Sequence, residues 1–306
     1  MYIITGQTAT GKTSYAQELA SKYSGEIINC DSRQIYKKLN IITGKDIPNQ
    51  SEYIHVDTQN TFDIGYYTIR LQANNIKLWL YDVVDPHNYF SSYDYVQCAA
   101  SVIEKVKKES KVPIFTGGTY LYIKHLLYGI PTDAIPPNFT LRKALEKLTV
   151  NKLQSKLQKI SAQTFTRLNH SDVNNPRRLI RHIEIASAPQ SNSNKSKANK
   201  IDMEDIKVIG FRFSSKDTLI KHIHDRVEKR LKQGAIEEVE VLLQLGYNEN
   251  DPGLKTIGYK SIIKYLQNTI TKEDAINEWI TNEIQYAKRQ LTFMKTDSHI
   301  EWKEIQ

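Results

Sequence analysis

A glycine-rich segment near the N-terminus carries the most specific chemical pattern in the chain. Residues 6–13 read Gly-Gln-Thr-Ala-Thr-Gly-Lys-Thr, which is the GxxxxGKT pattern of a phosphate-binding P-loop. In such a loop, backbone N–H groups surround phosphate oxygens, the lysine neutralises their charge and the threonine hydroxyl can bind Mg²⁺. The candidate ligands of a diphosphate are Gly6, Thr8, Ala9, Thr10, Gly11, Lys12 and Thr13, and Thr13 is also the candidate metal ligand. The pattern predicts a phosphate site and leaves the reaction open.

An acidic residue follows the next predicted strand. Residues 31–36 read Asp-Ser-Arg-Gln-Ile-Tyr, and ligands of open α/β sheets bind at the carboxyl ends of the strands. Asp31 is therefore a candidate general base facing the P-loop. Asp31 and Ser32 are also good N-cap residues, so a helix cap is an equal alternative.

Basic residues are concentrated in three later segments. Arg177, Arg178 and Arg181 follow Pro176 with helical spacing, which suits phosphate contacts but is also typical of a solvated helix face. Residues 286–295 combine basic, amide and aromatic side chains, the types that hold single-stranded RNA. Arg226 and Arg230, one helical turn apart, could bind a diphosphate or pair with Glu237 and Glu238. A net charge of +8 and a pI of about 9.1 agree with a polyanionic partner.

The elements that must position these residues alternate between strands and helices. Residues 2–5 and 26–30 predict strands on either side of a helix over 13–23, and 112–116 predicts another strand before a helix over 120–128. A strand over 207–213 returns to the sheet. We therefore predict an α/β fold with a P-loop NTPase-like parallel sheet core and a helical insertion lobe. The core would comprise 1–133 and 201–306, with the lobe at 134–200.

Three other segments carry weaker expectations. Alternating apolar residues over 69–80, around Asn74-Asn75, predict a β-hairpin. The polar stretch 191–200 predicts a mobile loop. From 216 to the end, the pattern predicts helices.

Composition excludes several classes of protein. Two cysteines, Cys30 and Cys98, are too few for a zinc cluster and imply no disulfide framework, so we expect small buried side chains in a cytoplasmic protein. The apolar runs are too short to span a membrane. The first strand begins at Tyr2, which leaves no room for a signal peptide.

Taken in order, the motifs resemble those of the bacterial tRNA dimethylallyltransferase (isopentenyltransferase) family. They are GQTATGKT, DSRQIY, TGKD at 43–46, VDP at 84–86, PIFTGGTYLY, NPRRLIRHIEI, DRVEKRL, GAIEEVEVL, TIGYKSIIKYL and YAKRQLTF. The resemblance covers nearly the whole chain and is weak at 47–80 and 185–205.

The resemblance implies a prenyltransferase. A dimethylallyl group would pass from dimethylallyl diphosphate, held with Mg²⁺, to N6 of adenosine 37 next to the anticodon, in tRNAs reading codons that begin with U. By position, Asp31 matches the base that accepts the N6 proton, and Thr13 and Arg226 complete the implied catalytic set. The implied tRNA contacts are Asp31, Ser32, Arg33, Gln34, Thr119, Arg142, Arg177, Arg178, Arg181, Lys255, Gly258, Tyr259, Lys260, Lys288, Arg289, Gln290 and Phe293. The partners are the tRNA anticodon stem-loop and the donor, with a monomeric enzyme expected.

The chain departs from the family pattern in two places. An insertion with the predicted hairpin replaces a strand of the type HHLID, and Phe293 stands where the family has tryptophan. The alternatives are a P-loop kinase, a transferase acting on free adenylate, and an RNA-binding protein regulated by its P-loop.

Overall fold

The computed structural model describes residues 1–48, 50–71, 74–129, 135, 137–188 and 205–306. The chain divides into two compact units. The first comprises Met1–Tyr128 with Ile201–Gln306, and the second is Gly129–Lys200. The predicted insertion, 134–200, falls within the second unit, and the predicted loop at 191–200 lies outside the described residues.

The first unit is built on one sheet. Its strands within the described residues are β1 (Tyr2–Gly6), β2 (Gly25–Asn29), β3 (Tyr53–Gln59), β4 (Phe62–Leu71), β5 (Asn74–Trp79), β6 (Val112–Thr116), β7 (Lys207–Phe213) and β8 (Ile300–Ile305). Their order is β3-β4-β5-β2-β6-β1-β7-β8. From β5 to β8 all neighbours are parallel, whereas β3, β4 and β5 pair antiparallel. The central strands are almost entirely buried, as expected for parallel strands covered on both faces.

Helices cover the two faces of this sheet. They are α1 (Lys12–Lys22), α2 (Ser92–Lys108), α3 (Tyr120–Tyr128), α9 (Lys216–Lys232), α10 (Ala235–Gln244), α11 (Tyr259–Leu266) and α12 (Lys272–Met294). The predicted P-loop α/β core is confirmed. Cys30 and Cys98 are buried as expected, and burial raises the pKa of each thiol to about 12.

The prediction of helices up to the end of the chain is wrong. Residues after α12 form β8, which pairs parallel with β7 from Val208↔Ile300 to Phe213↔Ile305. Ile300 is buried and Trp302 half-buried, while Glu301 and Lys303 between and after them are exposed. This period-two alternation is the pattern of a strand.

The predicted hairpin is confirmed, but it belongs to a larger antiparallel ribbon. β4 and β5 pair with Ile69 opposite Ile76. Asn74 and Asn75 lie in β5 and do not form the turn. β3, which the sequence did not predict, extends the ribbon, and most of its side chains are exposed, so it lacks the alternation of a half-buried strand. Because β5 also pairs parallel with β2, the ribbon is continuous with the main sheet.

The second unit is a small helical cluster. It contains α4 (Phe139–Leu145), α5 (Val150–Ile160), α6 (Ala162–Thr166), α7 (His170–Val173) and α8 (Pro176–Ser187). Its core consists of Leu145, Leu153, Leu157, Leu179, Ile180 and Ile183. Asn175 caps α8 by accepting from the Arg178 N–H, and Pro176 occupies the first turn as predicted.

Candidate active site

The P-loop joins β1 to α1, and its glycines have different roles. A Cβ at Gly6 would lie 2.2 Å from the carbonyl oxygen of Phe211. Gly6 is therefore required by the close approach of β7. Gly11 has a φ of 76°, and a Cβ there would have nothing within 4 Å, so this side of the loop is open to a ligand. Ala9 also has a positive φ, 64°.

Lys12 lies at the centre of this loop. Its Nζ donates hydrogen bonds to the carbonyl oxygen of Gln7 and to Thr10 Oγ1. Burial, and to a lesser extent the positive charge of Arg226, lowers the pKa of Lys12 to about 7, while the carboxylate of Asp31 opposes the shift. The charges of Arg226 and Asp31 therefore both influence Lys12.

Gln290 connects the P-loop to the turn that follows β6. Its side chain accepts a 2.9 Å hydrogen bond from the Thr8 N–H and donates one of 2.9 Å to the carbonyl oxygen of Gly118. A Cβ at Gly118 would lie 2.3 Å from the Gln290 amide nitrogen. The Thr8 amide is thus already bonded to protein, and Gln290 is buried. We therefore propose neither the Thr8 N–H nor the Gln290 side chain as a ligand contact.

Asp31 is held in a fixed turn after β2. Its N–H donates to Asn29 Oδ1 at 3.1 Å, and its Oδ1 accepts from the Arg33 N–H at 2.9 Å. Its Oδ2 would be 3.8 Å from a Cβ at Gly118. No helix follows within the described residues 32–48, so the helix-cap alternative is excluded. The carboxylate keeps one oxygen for this turn and directs the other towards the Gly118 turn.

The residues next to Asp31 are bound from two sides. The Ser32 N–H donates to Thr119 Oγ1 at 2.9 Å, and the Thr119 hydroxyl donates to Ser32 Oγ at 3.1 Å. Gln34 donates to the carbonyl oxygens of Thr43 and Gly44 at 3.2 and 2.8 Å. The structure therefore brings together the predicted segment 31–34, Thr119 and the TGKD turn.

Sequence reasoning missed Tyr286 as a site residue. Burial and the nearby Asp31 carboxylate raise the pKa of this phenol, while hydrogen bonding with Thr119 and Gln290 opposes the rise. Tyr286 lies one helical turn before Gln290 on α12. This i, i+4 spacing is the signal that could have placed both side chains on the face that meets the crevice.

Apart from Gln290, the predicted tRNA contacts between residues 255 and 293 fall into two groups. Exposed side chains are Lys255, Lys260, Lys288, Arg289 and Phe293. Gly258 and Tyr259 are buried: a Cβ at Gly258 would lie 2.8 Å from Trp279, and the Tyr259 hydroxyl donates to Glu238 at 2.6 Å. Glu238 is thereby bound, and its carboxylate also accepts from backbone N–H groups of residues 40–42. These two positions are structural in the described fold.

In the second unit, three of the four predicted arginines are bound to protein. Arg142 binds Glu184 through two hydrogen bonds of 3.0 and 2.8 Å, and Arg181 binds the same carboxylate. Arg178 pairs with Asp172 at 2.6 Å. Arg177 is exposed. The four arginines therefore do not form one free basic face.

A metal ion at this site would depend on oxygens of the substrate. No group of three or more His, Cys, Asp or Glu side chains able to hold a metal occurs in the part of the chain that the structure describes. Thr13, in the first turn of α1, offers one hydroxyl oxygen. This donor fits Mg²⁺, which commonly takes one or two protein ligands together with substrate phosphates.

Comparison with known proteins identifies the family. A family model described as IPP transferase matches residues 34–297. The chain belongs to this family. A tRNA dimethylallyltransferase of Hydrogenobaculum is 36% identical, with 96% of this chain and 91% of the relative covered. A tRNA dimethylallyltransferase of Endomicrobium trichonymphae is 34% identical, with 98% and 93% covered. The resemblance inferred from the motifs is thus confirmed.

A solved structure agrees with the fold. The tRNA Δ(2)-isopentenylpyrophosphate transferase of Staphylococcus epidermidis is 30% identical and has a TM-score of 0.64, with 99% of this chain and 92% of the other covered. Among the described helices, none is both long and apolar enough to cross a membrane.

Proposed function

We propose that this chain transfers the dimethylallyl group of dimethylallyl diphosphate to N6 of adenosine 37 in tRNAs reading codons that begin with U. The products are N6-(dimethylallyl)adenosine and diphosphate. The observation that carries the proposal is that Gln290 joins the P-loop at Thr8 to the Gly118 turn, which Asp31 Oδ2 faces, so a phosphate bound by the P-loop would adjoin the Asp31 carboxylate. A cationic site for a leaving diphosphate there adjoins a carboxylate for the attacking amine. The enzyme would work in the cytoplasm, where tRNA is present, and as a monomer.

The reaction needs a base and an anion site. The N6 nitrogen forms a bond to C1 of the dimethylallyl group while the bond from C1 to the diphosphate oxygen breaks. Asp31 accepts the N6 proton. An exocyclic adenine amine is a poor nucleophile, and as the C–N bond forms its nitrogen becomes neutral only by losing this proton. Its oxygen Oδ2 is the one available, since Oδ1 is bonded to the Arg33 N–H.

The negative charge of the departing diphosphate develops beside the P-loop. Lys12, Arg226 and the N–H groups at the N-terminus of α1 stabilise it. Thr13 and oxygens of the diphosphate would hold Mg²⁺, which supplies further positive charge at the leaving group when it is bound. Gln34 and Ser32 orient the segment around the adenine, which must leave its stack to reach Asp31.

Exposed side chains of the first unit and arginines of the second supply the proposed tRNA contacts. Four basic side chains of the first unit are exposed, whereas those of Gln290 and Tyr259 are buried. They are Lys255, Lys260, Lys288 and Arg289. Phe293 is 39% exposed and presents an aromatic face to RNA. Arg177 and Arg178 are the exposed arginines of α8.

The experiment combines purified protein, dimethylallyl diphosphate, Mg²⁺ and unmodified tRNA, followed by mass spectrometry of the nucleosides. We expect N6-prenyladenosine. Transfer of a phosphoryl group from ATP without a prenylated base would contradict the proposal, and prenylation of free adenylate in preference to tRNA would contradict the proposed acceptor.

The proposed base has its own test. Asp31→Ala should lower kcat by about 10²–10⁴-fold and leave the Kd for tRNA nearly unchanged. Asp172→Ala, which removes a carboxylate in the second unit, is a control for loss of negative charge. Weaker tRNA binding with normal turnover at saturation would show that Asp31 has a structural role only.

A further inference from the structure

Arg226 carries a buried hydrogen-bond donor that the described part of the chain leaves unsatisfied. Among the residues that the structure describes, its Nε has no hydrogen-bond partner, and the facing carboxylate oxygen, Glu283 Oε2, is 3.9 Å away. Buried donors without partners are rare because they lose their bonds to water and gain nothing in return. This N–H lacks an acceptor among the described residues, and the phosphate group proposed beside Lys12 is an oxygen-rich anion that would supply one.

Glu283 on α12 is fixed more firmly than Arg226 is. Its Oε1 accepts from Arg230 Nη1 at 3.2 Å and from Trp279 Nε1 at 3.0 Å. All three side chains are buried. Because two donors from two helices hold Oε1, the carboxylate cannot turn away, and Oε2 stays directed towards Arg226.

Gly44 lines the other side of the two guanidinium groups. A Cβ there would lie 2.3 Å from Arg230 Nη2 and 3.2 Å from Arg226 Nη2. The φ of Gly44 is 65°, a conformation that also favours glycine. Since Gln34 donates to the carbonyl oxygen of Gly44, this turn links the arginines to the segment that holds Asp31.

We propose that Glu283 is a positioning residue for the donor diphosphate: fixed by Arg230 and Trp279, it holds the Arg226 guanidinium towards the P-loop and leaves its Nε–H for a phosphate oxygen. The proposal rests on the function proposed above and extends it to a second layer of residues. Glu283 does not touch the reacting atoms. It lowers the cost of ordering Arg226 when the diphosphate arrives, because the guanidinium is already in place.

The test measures inorganic pyrophosphate as the ligand. Glu283→Gln keeps the size and one acceptor oxygen but removes the charge that holds Arg226. We expect the dissociation constant of pyrophosphate, measured by calorimetry and as a competitive inhibition constant against the donor, to rise about tenfold. The Kd for tRNA should stay unchanged. Glu278→Gln is the matched control, since Glu278 lies on the same helix and pairs with Lys264 at 2.9 Å, and it should change neither value.

A purely structural role predicts a different result. It would lower the melting temperature or the active fraction of Glu283→Gln and leave the dissociation constant of pyrophosphate unchanged, because that constant is measured on the folded protein. This outcome would overturn the proposal. Arg230→Lys is a second test of the positioning role, since it retains the positive charge but loses the planar guanidinium that binds Glu283. A loss of pyrophosphate affinity smaller than that of Glu283→Gln supports the proposal, and unchanged affinity contradicts it.

The two proposals can fail separately. If the wild-type protein binds pyrophosphate and Glu283→Gln weakens it, but no base is prenylated, the positioning role stands and the proposed reaction fails. If tRNA is prenylated and the pyrophosphate constants of the variants equal that of the wild type, only the positioning role fails.

Discussion

In each unit of the molecule, the described residues include a buried glutamate that faces two arginines, and the two clusters are satisfied to different degrees. In the second unit, Glu184 accepts from Arg142, Arg181 and the Asn138 N–H, so both of its oxygens are occupied. In the first unit, Glu283 binds Arg230 at 3.2 Å, while Arg226 Nε remains 3.9 Å away and has no partner within the described ranges.

This difference distinguishes the Glu184 cluster, which stabilises the fold, from the Glu283 cluster, which we propose takes part in ligand binding. Burial alone would raise the pKa of Glu184, but the hydrogen bonds from Arg142, Arg181 and the Asn138 N–H lower it to about 2. The charges of this cluster are satisfied within the protein. The cluster around Glu283 leaves Arg226 Nε without a partner among the described residues, and in our proposal a phosphate oxygen becomes that partner. Residue types alone do not distinguish the two clusters, but hydrogen-bond geometry does.

The largest expected effect is on catalysis in the first unit. Arg226→Gln should lower kcat by about 100-fold or more, because one donor to the developing charge of the diphosphate is lost. Steady-state kinetics with saturating tRNA measure it. Arg212→Gln is the control: Arg212 pairs with Glu304 at 2.7 Å and is about as exposed as Arg226, 34% against 30%. Equal losses in the two variants would show that the effect of Arg226→Gln is not specific to the diphosphate site.

The corresponding change in the second unit should affect stability. Glu184→Gln leaves Arg142 and Arg181 without their counter-charge, which we expect to cost about 3 kcal/mol of unfolding free energy in that unit. Hydrogen exchange of peptides from residues 137–188 measures it. The dissociation constant of pyrophosphate should not change. Unaltered exchange protection in this variant would show that the cluster contributes nothing to the fold.

Acid should act on the same cluster. A carboxyl with a folded pKa of about 2 and an ordinary value of 4.5 contributes stability that is present above pH 4.5 and is lost as the pH falls towards 2. Exchange protection of residues 137–188 should therefore decline over this range in the wild type. In Glu184→Gln the decline should be smaller, and a decline of the same size would assign it to other carboxyls.

The smallest effect concerns protons at Lys12. Its folded pKa of about 7 lies below the ordinary 10.5, so the folded protein binds fewer protons than the unfolded chain between these values, and its stability rises with pH there. An anion beside Lys12 favours the charged form. Pyrophosphate binding near pH 8.5 should therefore take up a fraction of a proton, measured by calorimetry in buffers of different ionisation enthalpy. Lys12→Met should lack this uptake relative to the wild type, and equal uptake in both would assign the proton to the ligand.

Local patterns predicted those parts of the site that are continuous in the chain. The P-loop depends on glycine spacing and a following helix, and Asp31 depends on its place after a strand. Gln290 was predicted as an RNA contact from the family resemblance, in a segment that mixes basic, amide and aromatic side chains. Its partners in the structure, Thr8 and Gly118, are 282 and 172 residues away, and no periodicity predicts a contact over such a distance.

The fold shows the same division. Strong periodicity located the central strands and α3 to the residue or nearly so. β3 escaped prediction because its exposed side chains lack an apolar face, and β8 because a short alternation followed a long helical segment. In the sequence, Gly44 was only part of a motif. The structure shows that a Cβ at this position would clash with the guanidinium groups of α9.

The bridge formed by Gln290 has a consequence for the order in which the protein is made. β1 and the P-loop leave the ribosome before two of the elements that hold them: residue 290 supplies the side chain that joins Thr8 to Gly118, and residues 207–213 supply the neighbour of β1 on one side. The P-loop is therefore synthesised long before the residues that fix its conformation. The active site is completed late in synthesis, and an N-terminal fragment that contains the entire P-loop should remain inactive.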